Sequence, residues 1–183
     1  METTAQGAQL PGMHELRRLI RDVPDFPKQG VLFKDITPLL ADPAGLALAV
    51  EFMVQPFRAI RIDRVVGAES RGFIFGTAVA NSLSAGFVPV RKPGKLPAKV
   101  RRHEYSLEYG SDALEIHEDA LEPGAKVLVV DDLLATGGTL AACCKLARGL
   151  GANVVGVVVL IELTALGGRR QLAGEQVISV LTY

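Results

Sequence analysis

The sequence predicts an α/β protein with a mainly parallel, twisted sheet that has helices on both faces. Short apolar segments, typical of strands buried on both faces, alternate along the chain with segments of helical periodicity. This alternation favours parallel strands joined by helical crossovers. The chain has 183 residues and no visible repeat. We therefore expect one domain over residues 1–183.

About 40 residues at the N-terminus predict a small section that precedes the α/β core, and a long helix follows it. Residues 1–12 are small and polar, and we expect a loose tail. Residues 13–22 have helical spacing, and the prolines of residues 24–27 end that pattern. Residues 31–36 predict an extended segment, and residues 43–60 predict a long helix with Pro43 in its first turn.

The rest of the chain predicts the core elements. Apolar runs predict strands at residues 64–68, 87–90, 126–130, 153–162 and 177–181. Helical patterns occupy residues 73–83, 138–150 and 165–172. Residues 92–112 combine prolines, glycines and charges, which predicts a long flexible loop. Within it, residues 104–109 and 113–118 can pair as a hairpin around a turn at residues 110–112.

Composition excludes several classes of protein. The 20 Lys and Arg residues balance the 20 Asp and Glu residues, which argues against a nucleic-acid binder. No uninterrupted apolar run can span a bilayer, and the N-terminus lacks the features of a signal peptide. Adjacent Cys143 and Cys144 fit buried thiols of a reduced, cytoplasmic protein better than a metal site. The three histidines lack the spacing of zinc ligands.

Residues 127–139 are the most informative segment. Four apolar residues lead directly into Asp131 and Asp132, which we expect at the carboxyl end of a strand, where open α/β sheets bind ligands. A small-residue loop then precedes a helix, an arrangement that presents backbone N–H groups to an anion. That loop comprises Ala135, Thr136, Gly137, Gly138 and Thr139. The segment offers acceptors for sugar hydroxyls beside donors for a phosphate, and it is neither a P-loop nor a dinucleotide fingerprint.

Two further segments are candidate anion sites. Glu69, Ser70 and Arg71 follow a predicted strand and precede a helix, so they can bind an anion or form an ordinary capping turn. Arg91, Lys92 and Lys95 leave the end of another predicted strand on the same edge. A charge run alone is most often a solvated surface, but here the shared edge favours a pyrophosphate clamp and a closing loop.

These motifs together resemble the type I phosphoribosyltransferase family, whose signature binds 5-phosphoribosyl-1-pyrophosphate (PRPP). Further segments look like those of its adenine-specific members, namely residues 24–27, 30–38, 70–73, 91–97, 105–110 and 162–163. The resemblance covers roughly residues 13–183. It implies the fold of that family, with a small N-terminal hood over residues 13–42 and a flexible catalytic loop.

The resemblance also implies a reaction. Adenine and PRPP would give AMP and pyrophosphate, with Mg²⁺ held mainly by substrate and water, through an oxocarbenium-like transition state. Asp131 and Asp132 would hold the ribose hydroxyls, and the loop that ends at Thr139 would bind the 5-phosphate. Six residues would bind pyrophosphate: Glu69, Ser70, Arg71, Arg91, Lys92 and Lys95. Of these, Arg71 would count as catalytic together with the two aspartates.

Adenine recognition is assigned by the same resemblance. Val31, Leu32, Phe33 and Lys34 match the positions that contact the base. Phe33 can stack on the purine, and backbone groups can read the polarity of its N1 and N6. Glu108 is a candidate for assisting proton removal from adenine, and Tyr105 and Tyr109 would belong to the closing lid. The family usually works as a homodimer, in which Arg91 reaches the partner's site.

Two rival hypotheses remain at this point. A phosphoribosyltransferase for hypoxanthine, guanine or xanthine would share the PRPP signature, but residues 31–38 argue against it. A regulatory PRPP sensor that binds nucleic acid would need a DNA-binding segment or a basic stripe. Residues 1–60 contain neither.

Overall fold

The structure is a computed structural model that describes residues 12–106 and 111–183. The chain divides into two compact units, a smaller one that ends at Glu51 and a larger one that begins at Phe52. Within the described residues, no helix combines the length and the apolar character that a membrane crossing needs. The predicted hood, residues 13–42, lies within the smaller unit.

The smaller unit differs from the prediction at its start. Helix α1 (Met13–Arg18) ends four residues earlier than expected, and Arg21–Pro24 forms strand β1. This strand pairs antiparallel with β2 (Leu32–Asp35), so that Arg21 faces Asp35 and their side chains form an ion pair of 2.5 Å. The pairing replaces a last helical turn. Two helices follow, α2 (Thr37–Ala41), which the sequence did not predict, and α3 (Pro43–Val54), whose last three residues belong to the larger unit.

The larger unit is built on five parallel strands. Its elements in chain order are β3 (Arg64–Ala68), α4 (Arg71–Ser82), β4 (Gly86–Val90), β5 (Val100–Ser106), β6 (Ser111–His117), β7 (Lys126–Leu134), α5 (Gly138–Gly149), β8 (Asn153–Glu162) and β9 (Val177–Thr182). The order across the sheet is β4-β3-β7-β8-β9. All its neighbours pair in parallel, which confirms the predicted fold class.

Helices cover both faces of this sheet. Val66, Val129 and Val157, from three strands, join Leu140 and Cys143 of α5 in one buried cluster. Because side chains alternate along a strand, the intervening residues point to the other face. There Gly67 of β3 and Gly76 of α4 both approach the ring of Phe87, which places α4 on that side. The apolar runs are therefore buried from both sides, as the sequence predicted.

Two expectations for the larger unit need correction. Residues 165–172 were predicted as a helix but form two 3₁₀ turns, Thr164–Leu166 and Gly168–Leu172, separated by Gly167 with a φ of 63°. Residues 100–106 belong to a strand rather than a loop, and they pair with 111–117 in a register that matches Ser106 with Ser111. The predicted turn at residues 110–112 was therefore wrong, because β6 begins at Ser111.

Candidate active site

The topology creates one crevice at the carboxyl edge of the sheet. Strands β3 and β7 are neighbours, but the connections that leave them run to opposite sides of the sheet order. Open α/β sheets bind ligands at such a switch point. The turn after β3 and the loop after β7 line a common cavity of about 220 Å³. It is bounded by Glu69, Arg71, Asp131, Asp132, Leu133, Ala135, Thr136, Gly137, Gly138, Thr139 and Leu140.

Two buried carboxylates form the floor of this cavity. The sequence predicted that the strand ends at residue 130, before the two aspartates. In the structure β7 continues to Leu134, so Asp131 and Asp132 lie within it. However, β7 pairs with β3 only as far as Val130, while it pairs with β8 up to its end. Both aspartates therefore extend past the end of β3 and stay accessible from the crevice. They are 9% and 5% exposed.

The environment makes this acidic pair costly to ionise. Burial raises the pKa of Asp131 well above its usual value, and the charge of Asp132 adds to the effect. Burial also raises the pKa of Asp132, although the guanidinium of Arg71 opposes that shift from 2.9 Å. Hydroxyl donors or a developing positive charge in the cavity would compensate these carboxylates.

Helix α5 presents its amino end to the same cavity. Gly137 is its N-cap residue, with a φ of 89°, and no described side chain caps the helix. The first turn of a helix carries unsatisfied N–H groups and the positive end of its dipole. Loop residues 135–139 thus lie around this helix end, and their role in binding a phosphate stays a prediction. Arg71 adds a charged donor from the start of α4.

Glu69 attaches the basic segment to this edge. Its carboxylate accepts from the amide of Lys92 at 2.6 Å and from the guanidinium of Arg91 at 3.2 Å, and the ammonium of Lys95 lies 3.5 Å away. Burial opposes the charge, but the Lys92 and Arg91 donors outweigh it and lower the pKa of Glu69. The Glu69–Ser70 peptide bond is cis. The predicted clustering of cations at this edge is therefore confirmed.

The hairpin of β5 and β6 contacts the loop of residues 135–139. The ring of Tyr105 packs on Gly138, and its hydroxyl lies 3.5 Å from that of Thr139 and donates to Asp112 at 3.2 Å. Burial raises the pKa of Tyr105. Asp112 also pairs with the ammonium of Lys92, which joins the hairpin to the basic segment. Glu108 and Tyr109 lie outside the described residues.

A larger cavity of about 530 Å³ lies at the other end of the sheet. Its walls include Arg58, Arg61 and Arg64 near the beginnings of β3 and β4. The positive charge there is partly compensated, because the side chain of Arg61 pairs with Asp63 and that of Arg64 donates to the Asp63 carbonyl. Among the described residues its lining includes one carboxylate, that of Asp63, which also accepts from the amide of Lys126, and no helix N-terminus. The smaller cavity is the better candidate for sugar phosphate chemistry.

Comparison with known proteins agrees with this geometry. The family model for a phosphoribosyl transferase domain matches residues 35–177. The adenine phosphoribosyltransferase of Rhodopirellula baltica is 56% identical over 92% of this chain and 82% of its own length. The chain belongs to the adenine phosphoribosyltransferase family.

Solved structures of that family have the same fold. The adenine phosphoribosyltransferase of Thermoanaerobacter pseudethanolicus superposes with a TM-score of 0.91 at 48% identity, covering 93% of this chain and 99% of the other. The enzyme of Saccharomyces cerevisiae, crystallised with adenine and an imino-altritol bisphosphate, gives 0.87 at 39% identity, covering 92% and 98%.

The residues that the family resemblance assigns to adenine lie in the smaller unit. Lys34 is on β2, and its ammonium pairs with Asp22 at 2.6 Å. The ring of Phe33 makes an edge contact with Phe26, with centroids 5.1 Å apart. Leu32 is half exposed. The structure thus shows the backbone of this segment held in a β ladder, and its role in base recognition stays a prediction.

The sequence analysis did not identify one group of interacting residues beside the loop of residues 135–139. Glu162 was noticed only as part of a family-like dipeptide, and Arg169 and Ser179 were not noticed. The carboxylate of Glu162 is buried and accepts from both of them. A carboxylate that ends an otherwise apolar strand was the available signal, because a buried charge requires partners.

Proposed function

We propose that this chain is an adenine phosphoribosyltransferase that converts adenine and PRPP to AMP and pyrophosphate in purine salvage. The observation that carries the proposal is the single cavity shared by two buried carboxylates, a guanidinium and an uncapped helix N-terminus. A sugar that bears both a 5-phosphate and a pyrophosphate needs acceptors and anion donors within one site.

Each part of PRPP has a matching group in this cavity or in the basic segment that Glu69 attaches to its edge. The ribose hydroxyls donate to Asp131 and Asp132, whose burial leaves them in need of donors. The 5-phosphate binds the loop of residues 135–139 through backbone N–H groups and the hydroxyls of Thr136 and Thr139. The pyrophosphate takes Arg71, Lys92 and Lys95 as counter-charges, and in the proposed dimer an Arg91 reaches it from the partner subunit. Glu69 and Ser70 contribute backbone groups, and the Glu69 carboxylate organises the cations.

The chemistry follows from this placement. The bond from the ribose C1 to the pyrophosphate oxygen breaks, its electron pair leaves with pyrophosphate, and N9 of adenine forms the new bond at C1 from the opposite face. Positive charge develops on the ribose ring in the transition state. The aspartates stabilise that charge, and Arg71 stabilises the growing negative charge on the leaving group.

Adenine is bound by residues 31–34 of the smaller unit. Phe33 stacks on the purine, and backbone groups near Leu32 and Lys34 pair with N6 as donor and N1 as acceptor. Hypoxanthine has the reverse polarity, so it would leave buried polar groups unpaired. The N9 proton of adenine passes to Glu108, and Tyr105 and Tyr109 contribute to the closing lid.

Magnesium fits this site as an ion bound to substrate. Among the described residues, no group of three or more His, Cys, Asp or Glu side chains could hold a metal. Mg²⁺ prefers phosphate oxygens, water and one or two carboxylates to an all-protein cage. When bound to PRPP, the ion neutralises charge on the pyrophosphate. We also propose a cytoplasmic homodimer, in which Arg91 reaches the partner's site.

The test is AMP formation from PRPP, Mg²⁺ and radiolabelled adenine, with parallel reactions that contain hypoxanthine or guanine. Turnover of adenine alone is expected. Turnover of another base would retain the PRPP site but overturn the assignment of residues 31–34. Binding of PRPP without turnover of any base would favour a sensor over an enzyme.

A further inference from the structure

A buried carboxylate with a guanidinium and a hydroxyl partner lies next to the proposed phosphate-binding loop, residues 135–139. This group does not line the cavity of that loop. Glu162 is the last residue of β8, and its side chain is 6% exposed. Arg169 donates to both carboxylate oxygens, from Nε and from Nη2, each at 2.8 Å. The hydroxyl of Ser179 on β9 donates to the same carboxylate at 2.5 Å. These donors outweigh burial, and the Arg169 bond lowers the pKa of Glu162.

This cluster fixes the backbone of a 3₁₀ turn. Arg169 lies in the turn Gly168–Leu172, and its guanidinium also donates to the carbonyl of Val177 at 3.1 Å. A two-point bond between a guanidinium and a carboxylate determines orientation as well as distance. The turn is thereby attached to the ends of two neighbouring strands, β8 and β9.

The same turn touches the phosphate-binding loop at two backbone positions. A methyl group at Gly137 would lie well inside 3.0 Å of the Gly168 carbonyl oxygen. A methyl group at Gly168 would lie equally close to the carbonyl oxygen of Ala135. The backbone of the turn at Gly168 is therefore in direct contact with the backbone of the loop at both Ala135 and Gly137. A shift of the turn must be transmitted to the loop, because packed backbone atoms leave no space to absorb it.

We propose that Glu162, Arg169 and Ser179 are positioning residues for the 5-phosphate subsite. They hold Gly168 against Ala135 and Gly137, and so keep the N–H groups of the loop aimed at the phosphate. The inference rests on the proposed function, since it assumes that residues 135–139 bind the 5-phosphate of PRPP. It predicts an effect on phosphate-bearing ligands that adenine does not share, because misplacement of donors weakens only the bonds they make.

The chain offers a matched control. Arg148 and Glu175 form another two-point pair. Arg148 lies in the last turn of α5, whereas the loop of residues 135–139 lies at the beginning of that helix. Arg148 and Arg169 have nearly the same exposed fraction, 49% and 50%. Lysine keeps the charge but loses the planar fork, so Arg169→Lys and Arg148→Lys make the same chemical change in two places.

The experiment measures the Kd for ribose 5-phosphate by calorimetry and the separate KM values for PRPP and adenine. For Arg169→Lys and for Ser179→Ala we expect both the Kd and the PRPP KM to rise, about tenfold for Arg169→Lys, with an unchanged adenine KM. Arg148→Lys should bind ribose 5-phosphate like the parent protein. The thermal unfolding midpoint of each variant, with Glu162→Gln included where it folds, separates positioning from loss of stability.

Two outcomes would overturn the inference. One is a parent-like Kd for ribose 5-phosphate in Arg169→Lys, and the other is an equal loss of PRPP and adenine affinity in that variant. Failure of the parent protein itself to bind ribose 5-phosphate or PRPP is a different result. It would remove the proposed function rather than the mechanical link between the turn and the loop, which a shift of backbone amide signals at Gly137 in Arg169→Lys would still reveal.

Discussion

Replacement of Gly137 by alanine tests whether the loop before α5 binds phosphate. Gly137 has a φ of 89°, and left-handed backbone costs an alanine about 1–2 kcal/mol. The added methyl group would also collide with the Gly168 carbonyl and must retreat by at least about half an ångström to reach 3.0 Å. The loop therefore has to move, together with its N–H groups.

The expected loss can be scaled from the bonds at stake. A hydrogen bond to a charged group contributes about 1.5–3 kcal/mol, so misplacement of one donor raises the PRPP KM by roughly 10- to 100-fold. Gly174→Ala is the matched control, because Gly174 has a φ of 90° and has nothing within 4 Å of its added methyl group. Both variants share the backbone penalty, and only Gly137→Ala disturbs the loop.

Steady-state kinetics with PRPP and adenine varied separately, combined with thermal unfolding, separates these contributions. Both variants should unfold at lower temperature than the parent, whereas only Gly137→Ala should lose PRPP affinity while the adenine KM is retained. Equal PRPP affinities in the two variants would refute the assignment of the 5-phosphate to this loop.

Two further predictions concern buried ionisable groups. Asp131→Asn should raise the unfolding midpoint at pH 7 while lowering kcat/KM by about 10- to 100-fold, because asparagine avoids the cost of burying an ionisable carboxyl group and is a weaker acceptor for a ribose hydroxyl. The folded-state pKa of Asp131 is raised above the unfolded value of about 3.9, so the parent protein is destabilised above that folded pKa and gains stability as the pH falls. The unfolding midpoints of the parent and of Asp131→Asn should therefore converge near pH 4. A constant difference between them from pH 4 to pH 8 would contradict this explanation. Burial raises the pKa of Cys144 to about 12 and that of Cys143 well above its usual value. Ellman's reagent should therefore modify neither thiol in the folded protein at pH 8, and both thiols after unfolding. Rapid labelling of the folded protein would contradict the burial of these thiols.

The sheet was predictable because it depends on local apolar pattern. Strands buried on both faces have long apolar runs with polar ends, so the bounds of β3 and β8 agree with the prediction at both ends. The turn after β3 and the loop after β7 were also predictable, because parallel strands bring their carboxyl ends to one edge. The sequence therefore placed Glu69, Arg71, the two aspartates and residues 135–139 at one edge, whereas the predicted Ser70, Arg91, Lys92 and Lys95 do not line the cavity.

The parts that failed depend on contacts distant in sequence. Strand β1 replaces a helical end because Arg21 pairs with Asp35, 14 residues away. The β5–β6 hairpin contacts a distant part of the chain, because Tyr105 packs on Gly138. The cluster around Glu162 joins two strands and a turn. No window of neighbouring residues contains these partners, so local periodicity could not find them.

The most direct test of the account is a crystal structure of this chain with PRPP and Mg²⁺. The account predicts the 5-phosphate on the amides of residues 135–139, the ribose hydroxyls on Asp131 and Asp132, and the pyrophosphate beside Arg71. A PRPP molecule bound elsewhere, for example in the cavity of Arg58, Arg61 and Arg64, would contradict it.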